Sequence, residues 1–179
     1  MSMLQGSWMD HKVVLEPGTK RWTPRTLRDY QENCVGLTRH CLDAHASGIV
    51  VMATGLGKTA ILCRIASEWQ RGNILVLAHR IELVDQLADS MEVELGYRPV
   101  VEQGPRGCEH DHMEQGGMIV TASIQSMTSR LAKFDSYPFG LIIIDECHRA
   151  TSPSYMKLIE HYRQLYPDCR VLGVTATPN

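Results

Sequence analysis

Short apolar runs alternate with helical patterns along most of this chain. Apolar residues recur at three-to-four spacing over residues 26–45, which predicts an amphipathic helix opened by Thr23 and Pro24. Apolar runs that predict strands follow at residues 48–53, 73–78, 118–121, 141–145 and 170–175, with a weaker run at 98–101. Further helices are predicted from Lys58 to a stop at Gly72, and over residues 81–95, 124–132 and 154–165.

This alternation predicts an α/β fold. Strands that are apolar along their whole length, with helices between them, are typical of a parallel sheet covered on both faces. Residues 102–117 are polar and glycine-rich, so we predict a loop there. Residues 1–18 lack periodicity and are typical of an expression leftover followed by a flexible arm. We therefore place the folded domain at residues 19–179.

Composition narrows the class of protein. The chain has 179 residues, 44% of them apolar and 21% charged, which is ordinary for one globular domain. Its six cysteines show no repeated Cys-x-x-Cys spacing, and the N-terminus lacks a secretory signal pattern, so we expect a reducing, cytoplasmic location. No apolar run approaches the length of a membrane span, so no membrane partner is expected.

The net charge of the chain shows that it is not a strongly basic protein of the kind that binds nucleic acid over its whole surface. The formal net charge is −2, so any contact with nucleic acid must be local. The densest basic stretch contains Lys20, Arg21, Arg25 and Arg28. A solvated face before a helix explains this stretch about as well as a phosphate contact does.

The segment ATGLGKT at residues 53–59, the glycine loop, lies between the first predicted strand and its helix. Glycines allow backbone N–H groups to surround phosphate oxygens, and the helix N-terminus adds its positive dipole. Lys58 would reach the β- and γ-phosphates and the Thr59 hydroxyl would bind Mg²⁺. The loop departs from the general G-x-x-x-x-G-K-[ST] pattern in one place, because Met52 stands where the first glycine would be.

Two acids, the acid pair Asp145 and Glu146, end the strand predicted at residues 141–145. Ligands of open parallel sheets bind at the carboxyl ends of the strands. Hydrolysis of Mg-ATP needs one carboxylate for the metal and another that orients and deprotonates the attacking water. We assign Asp145 to the metal and Glu146 to the role of base.

Six segments together resemble the superfamily-2 helicases and translocases, in particular the DECH-box, type III restriction-like group. They are LRDYQ at 27–31, ATGLGKT at 53–59, LVLAHRIELVDQ at 75–86, VTASIQSM at 120–127, DECH at 145–148 and TATP at 175–178. The resemblance implies a three-layer RecA-like P-loop NTPase domain with a mostly parallel sheet. It also implies an enzyme that hydrolyses ATP with Mg²⁺ and moves on DNA, or on RNA.

The resemblance further implies roles for individual residues. Gln31 would read the adenine edge with its amide, and Arg28 would support that pocket or contact phosphate. The nucleotide would also contact Thr54, Gly55, Leu56 and Gly57 of the glycine loop. Residues implied on the nucleic acid are His79, Arg80, Thr121, Ser123 and Gln125. Residues implied in coupling the two sites are His148, Thr175 and Thr177.

Superfamily-2 motors use two RecA-like domains, and the second supplies arginines that stabilise the transferring phosphoryl group. This chain stops at Asn179, just after the TATP segment, so we expect the second domain to be absent. An arginine finger is worth roughly 10³ to 10⁵ in rate in related enzymes. The fragment alone is therefore expected to bind Mg-ATP weakly, to hydrolyse it very slowly, and to bind nucleic acid with low, salt-dependent affinity.

Two alternatives stay open at this point. A nucleotide-switched binding module could recruit a partner without unwinding anything, although the acid pair argues for hydrolysis. Cys108, His110, Asp111 and His112 could supply metal ligands, but alternating ligands in one short loop cannot complete a tetrahedral zinc shell alone. A polar surface loop is the better explanation there.

A small GTPase is disfavoured, because no Asn-Lys-x-Asp segment is present.

Overall fold

The computed structural model describes residues 25–104 and 118–177. The predicted arm at residues 1–18, the basic residues Lys20 and Arg21, and the Cys108 loop lie outside these ranges. The helices are α1 Asp29–Ala44, α2 Lys58–Glu68, α3 Ile81–Leu95, α4 Ile124–Ser129 and α5 Pro153–Leu165, with short 3-10 helices at Leu131–Phe134 and Cys147–Arg149. The strands are β1 Ser47–Val51, β2 Asn73–Ala78, β3 Val100–Glu102, β4 Ile119–Ser123, β5 Phe139–Asp145 and β6 Arg170–Thr175.

These strands form one six-stranded sheet in the order β1-β6-β5-β2-β4-β3. Every neighbouring pair is parallel, so the predicted mostly parallel sheet is parallel throughout. All the strands therefore end at the same edge. The loops that follow β1, β2, β5 and β6 leave from that edge, which is where α/β sheets bind their ligands.

Side chains alternate between two cores, one on each face of the sheet. In β2, Ile74, Val76 and Ala78 pack with α1, α2 and α3 on one face. Leu75 and Leu77 point to the opposite face, where α4 and α5 pack. Because successive residues of a strand face opposite sides, a strand that is apolar throughout can serve both cores. The result is the three-layer arrangement expected from the sequence.

Several boundaries differ from the sequence predictions. Helix α1 begins at Asp29 rather than near residue 26, because the Gln31 side chain accepts a hydrogen bond from the backbone N–H of Arg28 and caps the helix. Strand β1 ends at Val51, two residues early. The helix predicted at 124–132 is α4 followed by a 3-10 turn, since the backbone leaves the helical region at Arg130.

The loop predicted at residues 102–117 starts too early. Glu102 ends β3 and is completely buried, and its carboxylate pairs with Arg130 and, at 2.8 Å, with Lys133. A buried carboxylate is tolerated here because two cations and their hydrogen bonds replace its water. Across the parts of the chain that the structure describes, no helix is both long and apolar enough to cross a membrane.

Candidate functional site

The glycine loop links the end of β1 to the start of α2. Gly55 and Gly57 both have positive φ, at 84° and 82°. A side chain at Gly57 would also collide with the amide nitrogen of Gln31, whereas Gly55 faces open space. The backbone conformation therefore favours glycine at Gly57, and a side chain there would also displace the Gln31 amide. The turn that these residues form leaves Lys58 as the first residue of α2.

Lys58 lies against the acid pair. Its Nζ is 3.2 Å from Glu146 Oε1, and the Lys58 side chain is largely buried, with 16% exposed. This contact joins segments 88 residues apart in the sequence. It places the amine of the glycine loop beside the Glu146 carboxylate, directly after the end of β5.

Glu146 adopts an unusual backbone conformation. Its φ is 51° and its ψ 53°, and it is the one non-glycine with positive φ within residues 25–104 and 118–177. Such a conformation costs about 1 kcal/mol or more, and residues that adopt it cluster at functional sites. The turn directs the chain from β5 into the 3-10 helix Cys147–Arg149, whose His148 lies 3.5 Å from Glu146.

The electrostatics of Asp145 suit a cation site. Burial raises the pKa of the Asp145 carboxyl above its usual value and the charge of Glu146 raises it further, while Lys58 opposes both. A bound cation would relieve this unfavourable charge. Asp145 and the half-buried Thr59 offer oxygen atoms, which are the ligands that Mg²⁺ prefers. The donor chemistry therefore fits the predicted metal.

Gln31 is buried and already makes two hydrogen bonds within the chain. Its Nε2 donates to the Leu56 carbonyl at 2.9 Å and its Oε1 accepts from the Arg28 N–H at 2.9 Å. One amide hydrogen and one lone pair remain for an adenine edge. Sequence reasoning missed Tyr30, whose hydroxyl donates to the same Leu56 carbonyl at 3.1 Å and accepts from the exposed Arg28 side chain. The signal was its place inside the LRDYQ segment.

His148 connects the acid pair to the end of β6. Its Nδ1 is 3.2 Å from Thr175 Oγ1 and 3.5 Å from Glu146 Oε2. Thr175 is buried, and its hydroxyl also accepts from the Thr177 N–H at 3.2 Å. The three residues expected to couple the two sites therefore form one connected group with Glu146.

His79, Arg80 and Gln125 lie together beyond the ends of β2 and β4. Gln125 Nε2 donates to the His79 carbonyl at 3.4 Å, and His79 Nε2 is 3.1 Å from a guanidinium nitrogen of Arg149. Partial burial lowers the pKa of His79, and the charges of Arg149, Arg80 and His148 lower it further. Arg80 and Gln125 are exposed. These three residues form a polar surface that meets Arg149, three residues after Glu146 in the sequence.

Thr121 and Ser123 lie elsewhere. Both are completely buried in β4. Thr121 donates to the Val100 carbonyl at 3.3 Å, while Ser123 caps α4 by accepting from the Ser126 N–H at 3.2 Å. This placement does not fit the expectation that either hydroxyl contacts nucleic acid, because β4 lies between β2 and β3 and its side chains are covered on both faces.

Comparison with known proteins identifies the family. Over residues 25–179 the chain matches the family model described as "Type III restriction enzyme, res subunit". The chain belongs to this family. Together with the fold, the match confirms the resemblance seen in the sequence: this res-subunit domain is an N-terminal RecA-like domain of the superfamily-2 helicase type.

Relatives of the res-subunit domain are longer proteins. IRC3 of Saccharomyces cerevisiae is 29% identical over 167 residues, which cover 84% of this chain and 23% of IRC3. The "DNA 3'-5' translocase XPB2" of Sulfurisphaera tokodaii is 28% identical over 152 residues, which cover 85% of this chain and 31% of XPB2. The chain thus spans less than a third of either relative.

Solved structures show the same fold. The helicase domain of Hef from Pyrococcus furiosus matches with a TM-score of 0.68 and 27% identity, covering 85% of this chain and 33% of that one. The UvsW helicase of bacteriophage T4 matches with a TM-score of 0.66 and 21% identity, covering 89% of this chain and 55% of that one, a likeness of fold.

The res-subunit domain thus brings most of the residues predicted from sequence to one edge of its sheet. Within the described ranges, no cluster of three or more His, Cys, Asp or Glu side chains could hold a metal ion on its own. The Cys108, His110 and His112 loop lies outside these ranges.

Proposed function

We propose that this domain is the ATP-binding lobe of a nucleic-acid-dependent ATPase, which couples hydrolysis of Mg-ATP to movement on DNA, or alternatively on RNA. The observation that supports this most is the 3.2 Å contact between Lys58 and Glu146. It brings the Lys58 amine, which can bind phosphate, next to the acid pair Asp145 and Glu146. Asp145 and Glu146 favour hydrolysis over a passive nucleotide switch, because a switch needs no base.

Each residue of the site has a role in this proposal. Backbone N–H groups of residues 54–57 surround the phosphates, and Lys58 leaves Glu146 to bind the β- and γ-phosphates. Glu146 is then free to orient the attacking water and accept its proton. Thr59 and Asp145 would hold Mg²⁺, which when bound neutralises charge on the phosphoryl oxygens. Gln31, supported by Arg28, contacts the adenine edge with its remaining amide hydrogen and lone pair.

Nucleic acid would bind at the surface formed by His79, Arg80 and Gln125, the nucleic-acid face. Arg80 is exposed and suits a phosphate, and Gln125 can donate or accept. His148, Thr175 and Thr177 would carry changes at Glu146 toward this face. Two similar proteins, the DNA 3'-5' translocase XPB2 and the helicase domain of Hef, support nucleic acid as the binding partner.

A second RecA-like lobe would complete the site. Among the described residues, no arginine pairs with Asp145 or Glu146, and Lys58 is the cation that does. Phosphoryl transfer in related enzymes gains roughly 10³ to 10⁵ in rate from an arginine that stabilises the transition state. We assign that arginine to a second lobe, by the resemblance to two-lobed superfamily-2 motors, so this domain by itself should turn over slowly.

Steady-state ATP turnover tests the proposal. Turnover should be near the limit of detection for this chain and should rise strongly, with stimulation by single-stranded DNA, in a longer form that carries a second lobe. Glu146→Gln should remove that turnover in the longer form, while Glu160→Gln, an exposed glutamate on α5, should not. Full turnover by the Glu146→Gln protein would refute the assigned base.

A further inference from the structure

Arg149 joins two parts of the molecule that are far apart in sequence. It ends the 3-10 helix Cys147–Arg149, which directly follows the acid pair. Its Nη1 lies 3.1 Å from His79 Nε2, a contact that spans 70 residues of sequence. Arg149 belongs to none of the six motif segments, so nothing in the sequence patterns assigns it a role.

The chemistry of this contact fixes the state of His79. A guanidinium donates hydrogen bonds and cannot accept them, so His79 Nε2 must accept. An accepting Nε2 carries no hydrogen, which leaves the ring hydrogen on Nδ1 and the ring neutral. A protonated ring would instead place two donors and two positive charges against each other. The lowered pKa of His79, caused by burial and by Arg149, Arg80 and His148, agrees with this state.

The contact between Arg149 and His79 links the acid pair to the nucleic-acid face. On one side, Glu146 touches Lys58 at 3.2 Å and His148 at 3.5 Å. On the other side, the His79 carbonyl accepts a hydrogen bond from Gln125, which ties the loop after β2 to α4. Arg149 stands between them, three residues from Glu146 and in contact with His79. A movement of the Glu146 turn therefore reaches the nucleic-acid face through one short 3-10 helix.

The geometry points to Arg149 as a positioning residue that holds His79 as the neutral, Nδ1-protonated imidazole and so couples the hydrolysis site to the nucleic-acid face. In this state the Nδ1–H of His79 donates to a phosphate oxygen of the strand. Loss of Arg149 frees the ring to rotate or to exchange tautomers, and the two surfaces become independent. The coupling rests on the proposed function, whereas the state of the His79 ring does not.

Nitrogen-15 NMR of the histidine rings tests the state of His79 directly. The His79 signal is assigned by its loss in His79→Gln. At neutral pH the wild-type ring should show a protonated Nδ1 and an unprotonated Nε2. Arg149→Ala should shift the ring toward the Nε2-protonated form, and Arg149→Lys, which can still donate, should retain the wild-type pattern. A wild-type ring protonated at Nε2, or unchanged shifts in Arg149→Ala, would overturn the assignment.

Binding measurements test the coupling. The affinity for a fluorescent single-stranded DNA is measured with and without Mg²⁺ and a non-hydrolysable ATP analogue. The ratio of the two affinities should be several-fold in the wild type, in the range of roughly 5–150 that coupled sites show. Arg149→Ala should bring it within about twofold of one, while Arg149→Lys and the control Arg39→Ala, an exposed arginine on α1, should preserve it.

The outcomes separate the two claims. A wild-type ratio of one, or an unchanged ratio in Arg149→Ala, contradicts the coupling even where both ligands bind. Failure of the wild-type protein to bind either ligand contradicts the proposed function and the coupling with it. The NMR result on His79 stands or falls independently of both.

Discussion

The folded domain disfavours the ionised form of the Asp145 side chain. Its carboxyl is half-buried, with the Glu146 carboxylate beside it, and the pKa of Asp145 is raised for both reasons. Lys58 offsets part of this repulsion. Functional sites often sacrifice stability in this way, because groups placed to bind a ligand are poorly placed without it.

Replacing Asp145 should therefore stabilise the domain. A carboxyl whose folded-state pKa is raised costs nothing below its unfolded-state pKa and its full penalty above the folded-state pKa. Asp145→Asn should thus raise the melting temperature at neutral pH, by roughly 2–4 °C for each 1 kcal/mol of penalty removed. The gain should disappear as pH falls below the ordinary range of an aspartate.

Thermal unfolding across pH measures this effect. The matched control is Asp168→Asn, since Asp168 is exposed near the start of β6. A melting temperature at neutral pH that is unchanged or lower in Asp145→Asn would show that the carboxylate is not destabilising. Nucleotide binding with Mg²⁺ should fall in the same variant.

At the scale of the elements, two glycines have opposite surroundings, one crowded and one open. Gly140 lies in β5, and a Cβ there would overlap the Arg71 carbonyl of the turn before β2. Gly36 lies in α1, and a Cβ there meets nothing within 4 Å. The same substitution should therefore give opposite results at the two positions.

Gly140→Ala should destabilise the domain by about 1–3 kcal/mol, because the turn must move away from the strand. Gly36→Ala should stabilise it by roughly 0.5–1 kcal/mol, the usual advantage of alanine inside a helix. Urea unfolding measures both free energies. Equal effects of the two substitutions would contradict the close approach of β5 to the turn at Arg71.

The pattern of apolar residues was enough to predict the order of helices and strands. Boundaries that depend on long-range contacts were not predictable. Glu102 looked like the start of a polar loop, because nothing local reveals that Arg130 and Lys133 lie beside it. Arg130 makes that pairing from the break between α4 and the 3-10 helix Leu131–Phe134, a break that the sequence pattern did not reveal.

At the scale of the whole molecule, the position of a candidate site residue could be predicted where that residue directly follows a strand. The structure places Lys58 and Asp145 at one edge of the sheet, because parallel strands share that edge. Thr121 and Ser123 were misplaced, since their segment lies in a strand whose side chains are buried. Arg149 could not be found from sequence, because its significance depends on His79, 70 residues away.

The net charge of −2 means that nucleic acid must be held by local contacts. Arg80 is the exposed cation of the nucleic-acid face. Arg80→Ala should weaken binding of single-stranded DNA and reduce the slope of log affinity against log salt by about 0.7, the value for one phosphate contact. Fluorescence anisotropy over a salt series measures the slope. Arg71→Ala, an exposed arginine away from this face, should leave it unchanged.

Equilibrium binding of a fluorescent ATP analogue tests the central claim, that Lys58 and the acid pair form one nucleotide site. We expect binding that requires Mg²⁺, a loss of roughly 10- to 100-fold in Lys58→Ala, since a hydrogen bond to a charged group contributes about 1.5–3 kcal/mol, and near-normal binding in Glu146→Gln. Wild-type affinity in Lys58→Ala would contradict the account, because the nucleotide would then bind elsewhere on the domain.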